Sequence, residues 1–239
     1  MGATMDEAFV GDSIAFRRIT TYLNTMAGVI QDMKDLLLGV QEGCNPTVFY
    51  ELIRPWFRGA DSDPAKRPWV FEGIEGQPEL EAWTKELSGP SAGQSPLIHA
   101  LDIFLGVNAF THGHGSSTSS NEKTFLTRMQ TYMSRHHRAF LTHLSTKNPR
   151  PLRALVLASE DAALMEAYNC AVCALKEFRD AHMIVVGMYI VRPARKGITA
   201  QSEGGNKALK GTGGTDLVQF LKAVRDKTAR AIMDGGTEA

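Results

Sequence analysis

Residues 178–194 read FRDAHMIVVGMYIVRPA, with one histidine, His182, in the middle of a mostly apolar run. An imidazole in such a place needs a partner for each ring nitrogen, or another use for them. Working outward from it, Leu164, Tyr168, Ala171, Leu175, Phe178, His182, Val185 and Tyr189 recur at steps of four and three. That spacing predicts a long helix over about residues 160–192 with one continuous apolar stripe. His182 lies on the stripe and is therefore expected to face the core, with Arg179 one turn before it.

The rest of the chain reads the same way. Asp12 and Ser13 can cap a helix running to about Leu38, on which Ile14, Ile19, Leu23, Met26, Ile30, Met33 and Leu37 step mostly by three or four. Gly39 and Gly43 mark its end, and Asn45-Pro46 opens a second helix that carries VFYELI and Arg54 and is limited by Pro55. Residues 58–79 hold Gly, Pro and Asp with Trp69 and Phe71, which predicts a packed irregular loop. SGPSAGQS (88–95) reads as a turn leading into the helix LIHALDIFLGV, and THGHGSSTSSNE (111–122) as a polar loop. Further amphipathic helices are expected in KTFLTRMQTYM, HRAFLTHL and DLVQFLKAVRDKTARAIM, the last starting at Thr215 or Asp216. No segment alternates with period two, so the predicted fold is all-α.

Lys+Arg and Asp+Glu both number 26, and this zero net charge argues against a nucleic-acid or membrane-surface partner. Three cysteines do not make a disulfide framework, so the reducing cytoplasm is the expected location. The acidic start MGATMDEAFVGD does not read as a signal peptide, and the run MIVVGMYIV is too short to span a bilayer. Cys170 and Cys173 form a CxxC without the following histidine of covalent haem attachment and without a second CxxC for zinc. They read as bystander thiols. His112 and His114 fall in a Gly/Ser-rich loop, and the adjacent His136 and His137 cannot easily face one site.

From the residues alone, two readings of His182 stay open. It is a hydrogen-bonded core histidine, or it is an axial haem or metal ligand presented by an apolar wall, with Arg179 near enough to pair with propionates.

The order of five stretches bears on that choice: NPTVFYELIRPWFRG, SGPSAGQSPLIHALDIFLGV, FLTRMQTYMSRHHRAFL, FRDAHMIVVGMYIVRPA and KGTGGTDLVQFLKAVRD. Together, over roughly residues 10–233, they resemble the C-terminal portion of the indoleamine 2,3-dioxygenase family. The resemblance implies an all-α domain over residues 1–239 that binds haem b and opens the indole ring of tryptophan with O2. His182 matches the family's proximal iron ligand. Phe49 matches the phenylalanine packed on the substrate indole, and Arg54 the arginine paired with the substrate carboxylate. Phe49 and Arg54 are five apart, so on an α-helix they share a face only approximately. Ser91 matches the distal-pocket serine near haem and substrate, while Ala92 and Gly93 would let backbone approach the macrocycle. Asp102 and Arg179 match a charged pair near the haem. Residues 211–215 match a loop over the substrate, with Thr212 the contact to its ammonium group.

Each residue keeps a plainer reading: Phe49 as core, Arg54 as a capping or snorkelling cation, SAGQS as a capped turn. On this resemblance the family's small N-terminal domain and early large-domain part are expected to have no counterpart in residues 1–239, and residues 1–9 to match nothing. The pocket would then be open on one face, with self-association one way to cover the surface left exposed. Alternatives to the dioxygenase are a haem protein of the same superfamily that monooxygenates, rearranges or only binds, and an inactive helical remnant.

Overall fold

The computed structural model describes residues 1–60, 69–80, 87–107, 125–146, 151–195 and 216–234. The described residues form helices and turns with no β-strand among them, so the fold is all-α. Helix α1 spans Gly2–Val10, in residues expected to match nothing, and packs on α2, Ser13–Leu38. The start of α2 follows from Asp12, whose carboxylate accepts from the Ile14 and Ala15 amides at 2.9 and 2.7 Å.

A four-residue turn of helix, Val40–Gly43, leads to Asn45, which caps the next helix by accepting from the Thr47 and Val48 amides. Pro46–Val48 begins as α, Phe49–Ile53 widens to a π turn, and Arg54–Phe57 tightens to 3-10. Pro55 explains why the α ladder stops here. It has no N–H and its ring would crowd the carbonyl four residues back, so the α ladder cannot continue past it.

Residues 69–77 are irregular as expected and a turn of helix begins at Pro78, but Trp69 and Phe71 are 41% and 39% exposed rather than packed inside. After SAGQS come α3 (Pro96–Phe104), a helical stretch at 125–130, α4 (Arg135–Thr146) and α5 (Leu152–Ser159). Helix α6 covers Ala162–Val186, capped by Asp161, and continues as a second π turn over Gly187–Val191. Helix α7, Leu217–Ala229, closes the described chain, capped by Asp216.

The core lies where α6 runs along α2. Ile19, Leu23 and Ile30 meet Leu164, Tyr168, Ala171, Val172 and Leu175, with Leu101, Phe104, Leu105 and Val156 from α3, the residue after it, and α5. The fully buried Tyr168 donates to the Leu105 carbonyl at 2.6 Å and accepts from Arg153 at 3.1 Å. Asn169 clamps the C-terminal segment by exchanging two hydrogen bonds with the Met233 backbone, at 2.8 and 2.9 Å.

Candidate functional site

The stripe on α6 divides. Leu164, Tyr168, Ala171 and Leu175 are buried, whereas Phe178, His182 and Val185 are half-buried, and Tyr189 is buried again. His182 therefore stands at an edge of the core rather than inside it. No hydrogen bond joins its ring to another described residue. Burial holds the imidazole below the ordinary histidine range, and the Arg179 charge pushes in the same direction. A neutral imidazole with uncommitted nitrogens is the form that ligates a metal.

His99, on α3, makes the contrast. It is buried, and both ring nitrogens are satisfied: Nε2 lies 2.8 Å from the Gly93 carbonyl and Nδ1 lies 3.2 Å from the Gln130 amide nitrogen. A carbonyl only accepts, so Nε2 carries the proton and Nδ1 accepts from Gln130. His99 is thus a structural histidine that sequence reasoning did not single out.

Asp102 and Arg179 form the expected pair, 2.6 Å between Oδ1 and Nη2, with both side chains about nine-tenths buried. Arg179 also donates to the Val224 carbonyl at 3.2 Å and to the Thr228 hydroxyl. The guanidinium therefore ties α6 to α3 and α7, one turn from His182.

The π turn brings Phe49 and Arg54 together. At about 100° per residue, five α-helical steps would set them about 140° apart. Here the Arg54 amide donates to the Phe49 carbonyl, an i→i+5 closure that brings residues five apart nearer to one face. Arg54 is buried, its guanidinium lies over the Tyr50 ring at 5.4 Å, and burial lowers its pKa from the usual arginine value. Phe49 is half-buried and meets the Tyr189 ring edge-on at 5.7 Å. It thus reaches the helix of His182 seven residues beyond the histidine.

Ser91 caps the 3-10 turn Ala92–Gln94, accepting from the Gly93 amide at 3.2 Å, and Gln94 Oε1 accepts from the Ser91 amide at 3.4 Å. A Cβ on Gly93 would lie 3.2 Å from both Met129 Cγ and Phe125 Cε1, so the close approach that glycine permits here is to those side chains. Ala92 is exposed. Just before this turn two backbones cross. A Cβ on Gly59 would collide with residues 87–89, and one on Gly89 with the Phe57 carbonyl. This crossing joins the segment after Arg54 to the segment before Ser91. Thr212 with its loop, and His112 and His114, lie outside the described residues. His136 and His137 are exposed on α4, and no group of three metal-binding side chains occurs among the described residues.

The fold and these residues define an all-α protein in which a long helix, braced by a buried ion pair, presents a histidine that has no hydrogen-bond partner among the described residues. Comparison with known sequences makes the assignment: the indoleamine 2,3-dioxygenase family model matches residues 1–231, and the chain belongs to that family. The match takes in residues 1–9, correcting the expectation that they correspond to nothing. The chain is 32% identical over 216 residues to indoleamine 2,3-dioxygenase 1 of Rattus norvegicus, covering 88% of this chain and 49% of that one. It is 36% identical over 215 residues to indoleamine 2,3-dioxygenase nanC of Aspergillus nanangensis, covering 85% and 48%. It is also 33% identical over 217 residues to a myoglobin of Haliotis diversicolor, covering 89% and 51%. The chain thus spans about half the length of these relatives.

Proposed function

We propose that residues 1–239 form a single helical unit that binds haem b through His182 and acts with O2 on tryptophan, giving N-formylkynurenine, the first product of tryptophan breakdown to kynurenine, or on a related indoleamine, giving the corresponding ring-opened product. The observation that carries this is His182 itself: half-buried, held toward its neutral form, and without a hydrogen bond to another described residue. The donor set fits haem, since one imidazole from an apolar wall is a common axial arrangement. Haem iron, when bound, supplies the O2 activation that puts both oxygen atoms across the indole C2–C3 bond.

The protein's own residues do the rest. Phe49 packs on the indole, and Arg54 pairs with the substrate carboxylate through a charge-assisted bond strengthened by its burial. Ser91, Ala92 and Gly93 line the cofactor side, and Thr212 contacts the substrate ammonium. Asp102 and Arg179 hold α6, and hence His182, in place. Exposed Val48, Leu52 and Trp56, spaced by four on the Phe49 helix, support self-association as a further part of this reading. Sedimentation velocity checks it. No described helix is long and apolar enough to cross a membrane, and three free thiols fit the cytoplasm.

The test is the absorption spectrum of haem-supplied protein, oxidised and then reduced with CO, for wild type and His182→Ala. A Soret band that shifts with CO and is lost or altered in the variant supports the reading. Featureless spectra for both would sink it. The relative named myoglobin favours a second reading, a haem protein of the same superfamily that binds O2 without turnover. Product mass separates the two, because only the dioxygenase adds two oxygen atoms to tryptophan.

A further inference from the structure

We propose that Tyr189 is a positioning residue that sets the helix of Phe49 and Arg54 against the helix of His182; the inference rests on the function proposed above and deepens it. Tyr189 lies in the second π turn, Gly187–Val191, and is 4% exposed. Its hydroxyl reaches the Cys44 carbonyl at 2.6 Å and the Val40 carbonyl at 3.2 Å. Those carbonyls bracket the four-residue helical turn that ends α2's extension.

The path from this latch to the site is short and stiff. Asn45 follows Cys44 and caps the helix, Pro46 fixes the backbone angle of its first residue, and Phe49 comes three residues later. The Phe49 ring then returns to Tyr189 edge-on, at 5.7 Å and 84°. One side chain therefore grips the 44–49 segment twice, by its hydroxyl before the helix and by its ring within it. The two π turns pack against each other at this point. A π turn re-aims side chains within a helix, and such turns recur at functional sites. Here one aims Tyr189 and the other pairs Phe49 with Arg54. No other hydrogen bond among those described joins residues 187–191 to the start of the Phe49 helix.

Tyr189→Phe keeps the ring and removes the latch. Hydrogen exchange on the 239-residue chain reads the latch without haem or substrate. The expected result is exchange several-fold faster at residues 46–57, with residues 13–38 unchanged. In haem-supplied protein the Soret band and its CO shift should persist, the KM for tryptophan should rise about fivefold, as loss of one hydrogen bond allows, and kcat should stay within twofold. Asn45→Ala interrupts the same path one residue on, so its effect on KM should be less than additive with that of Tyr189→Phe. Unchanged exchange at 46–57 overturns the latch. Faster exchange with unchanged KM overturns the positioning role. A wild type that loads haem but neither binds nor turns over tryptophan refutes the proposed function and the substrate role with it, while the exchange result still decides the latch.

Discussion

Breaking the Asp102–Arg179 pair should destabilise the protein far more than removing both partners. The two side chains are 10% and 8% exposed, and Oδ1 and Nη2 are 2.6 Å apart. In Asp102→Leu, Arg179 keeps Val224 and Thr228 as acceptors, but its charge stays buried without a counter-ion. Removing one partner of a buried pair costs about 3–5 kcal/mol, whereas replacing both with apolar residues of similar volume is often near neutral. For a chain of this size that single loss lowers the melting temperature on the order of 10 °C. Urea unfolding of the haem-free protein, followed by far-ultraviolet circular dichroism, would measure Asp102→Leu, Arg179→Leu and the double variant. The double should be markedly more stable than the sum of the singles requires. Haem-loaded Asp102→Leu should also show a weakened Soret band, because Arg179 is one turn from His182. Additive losses, or a single-variant loss below about 1 kcal/mol, would refute the view that this pair braces the proximal helix.

Replacing His99 with alanine leaves the Gly93 carbonyl and the Gln130 amide without their partner, a loss of about 1–3 kcal/mol in urea unfolding, while the haem spectrum persists; His182→Ala should show the reverse pattern. Gly89→Ala drives a Cβ into the Phe57 backbone and should cost about 3 kcal/mol or more, against about 1 kcal/mol for Gly93→Ala, where flexible Met129 can move, both read from urea midpoints. Burial raises the Tyr168 phenol above its ordinary pKa, with Arg153 partly offsetting this. The unfolded chain therefore ionises first: the stability from the neutral phenol is fully present below about pH 10 and is lost as pH rises through the higher folded value. Tyr168→Phe should flatten that alkaline decline in a melting-temperature series.

The helices were legible because their signals are local. Asp12, Asn45, Asp161 and Asp216 each cap within three residues of themselves, and the stripe on α6 repeats along one strand of sequence. The limits of that stripe were not legible. Periodicity marks which face turns inward, but not how far the neighbouring helix extends to cover it, so His182 was expected in the core and lies at its edge. An α-helical step pairs Phe49 with Arg54 only imperfectly, whereas the π turn closes between them. Pro55 was visible, but the π closure it accompanies depends on how the surrounding chain packs.

The two histidines show where local pattern stops. His99 and His182 both occupy helices among apolar neighbours, and nothing in either sequence context says whether the ring nitrogens are used. For His99 the answer comes from a carbonyl six residues back and an amide 31 residues ahead. For His182 it comes from finding no such pair among the described residues. A half-buried imidazole held toward its neutral form, with no partner among the described residues, keeps a nitrogen free to bind another group, and that is the physical reason to look for an iron there. The same reasoning applies to the buried Tyr189 hydroxyl, whose acceptors lie about 145 residues away. Where a buried polar atom finds a distant partner, the fold is being held. At half-buried His182, which has no such partner among the described residues, a ligand is the economical explanation, and the spectrum of His182→Ala decides between a bound iron and an imidazole left to solvent.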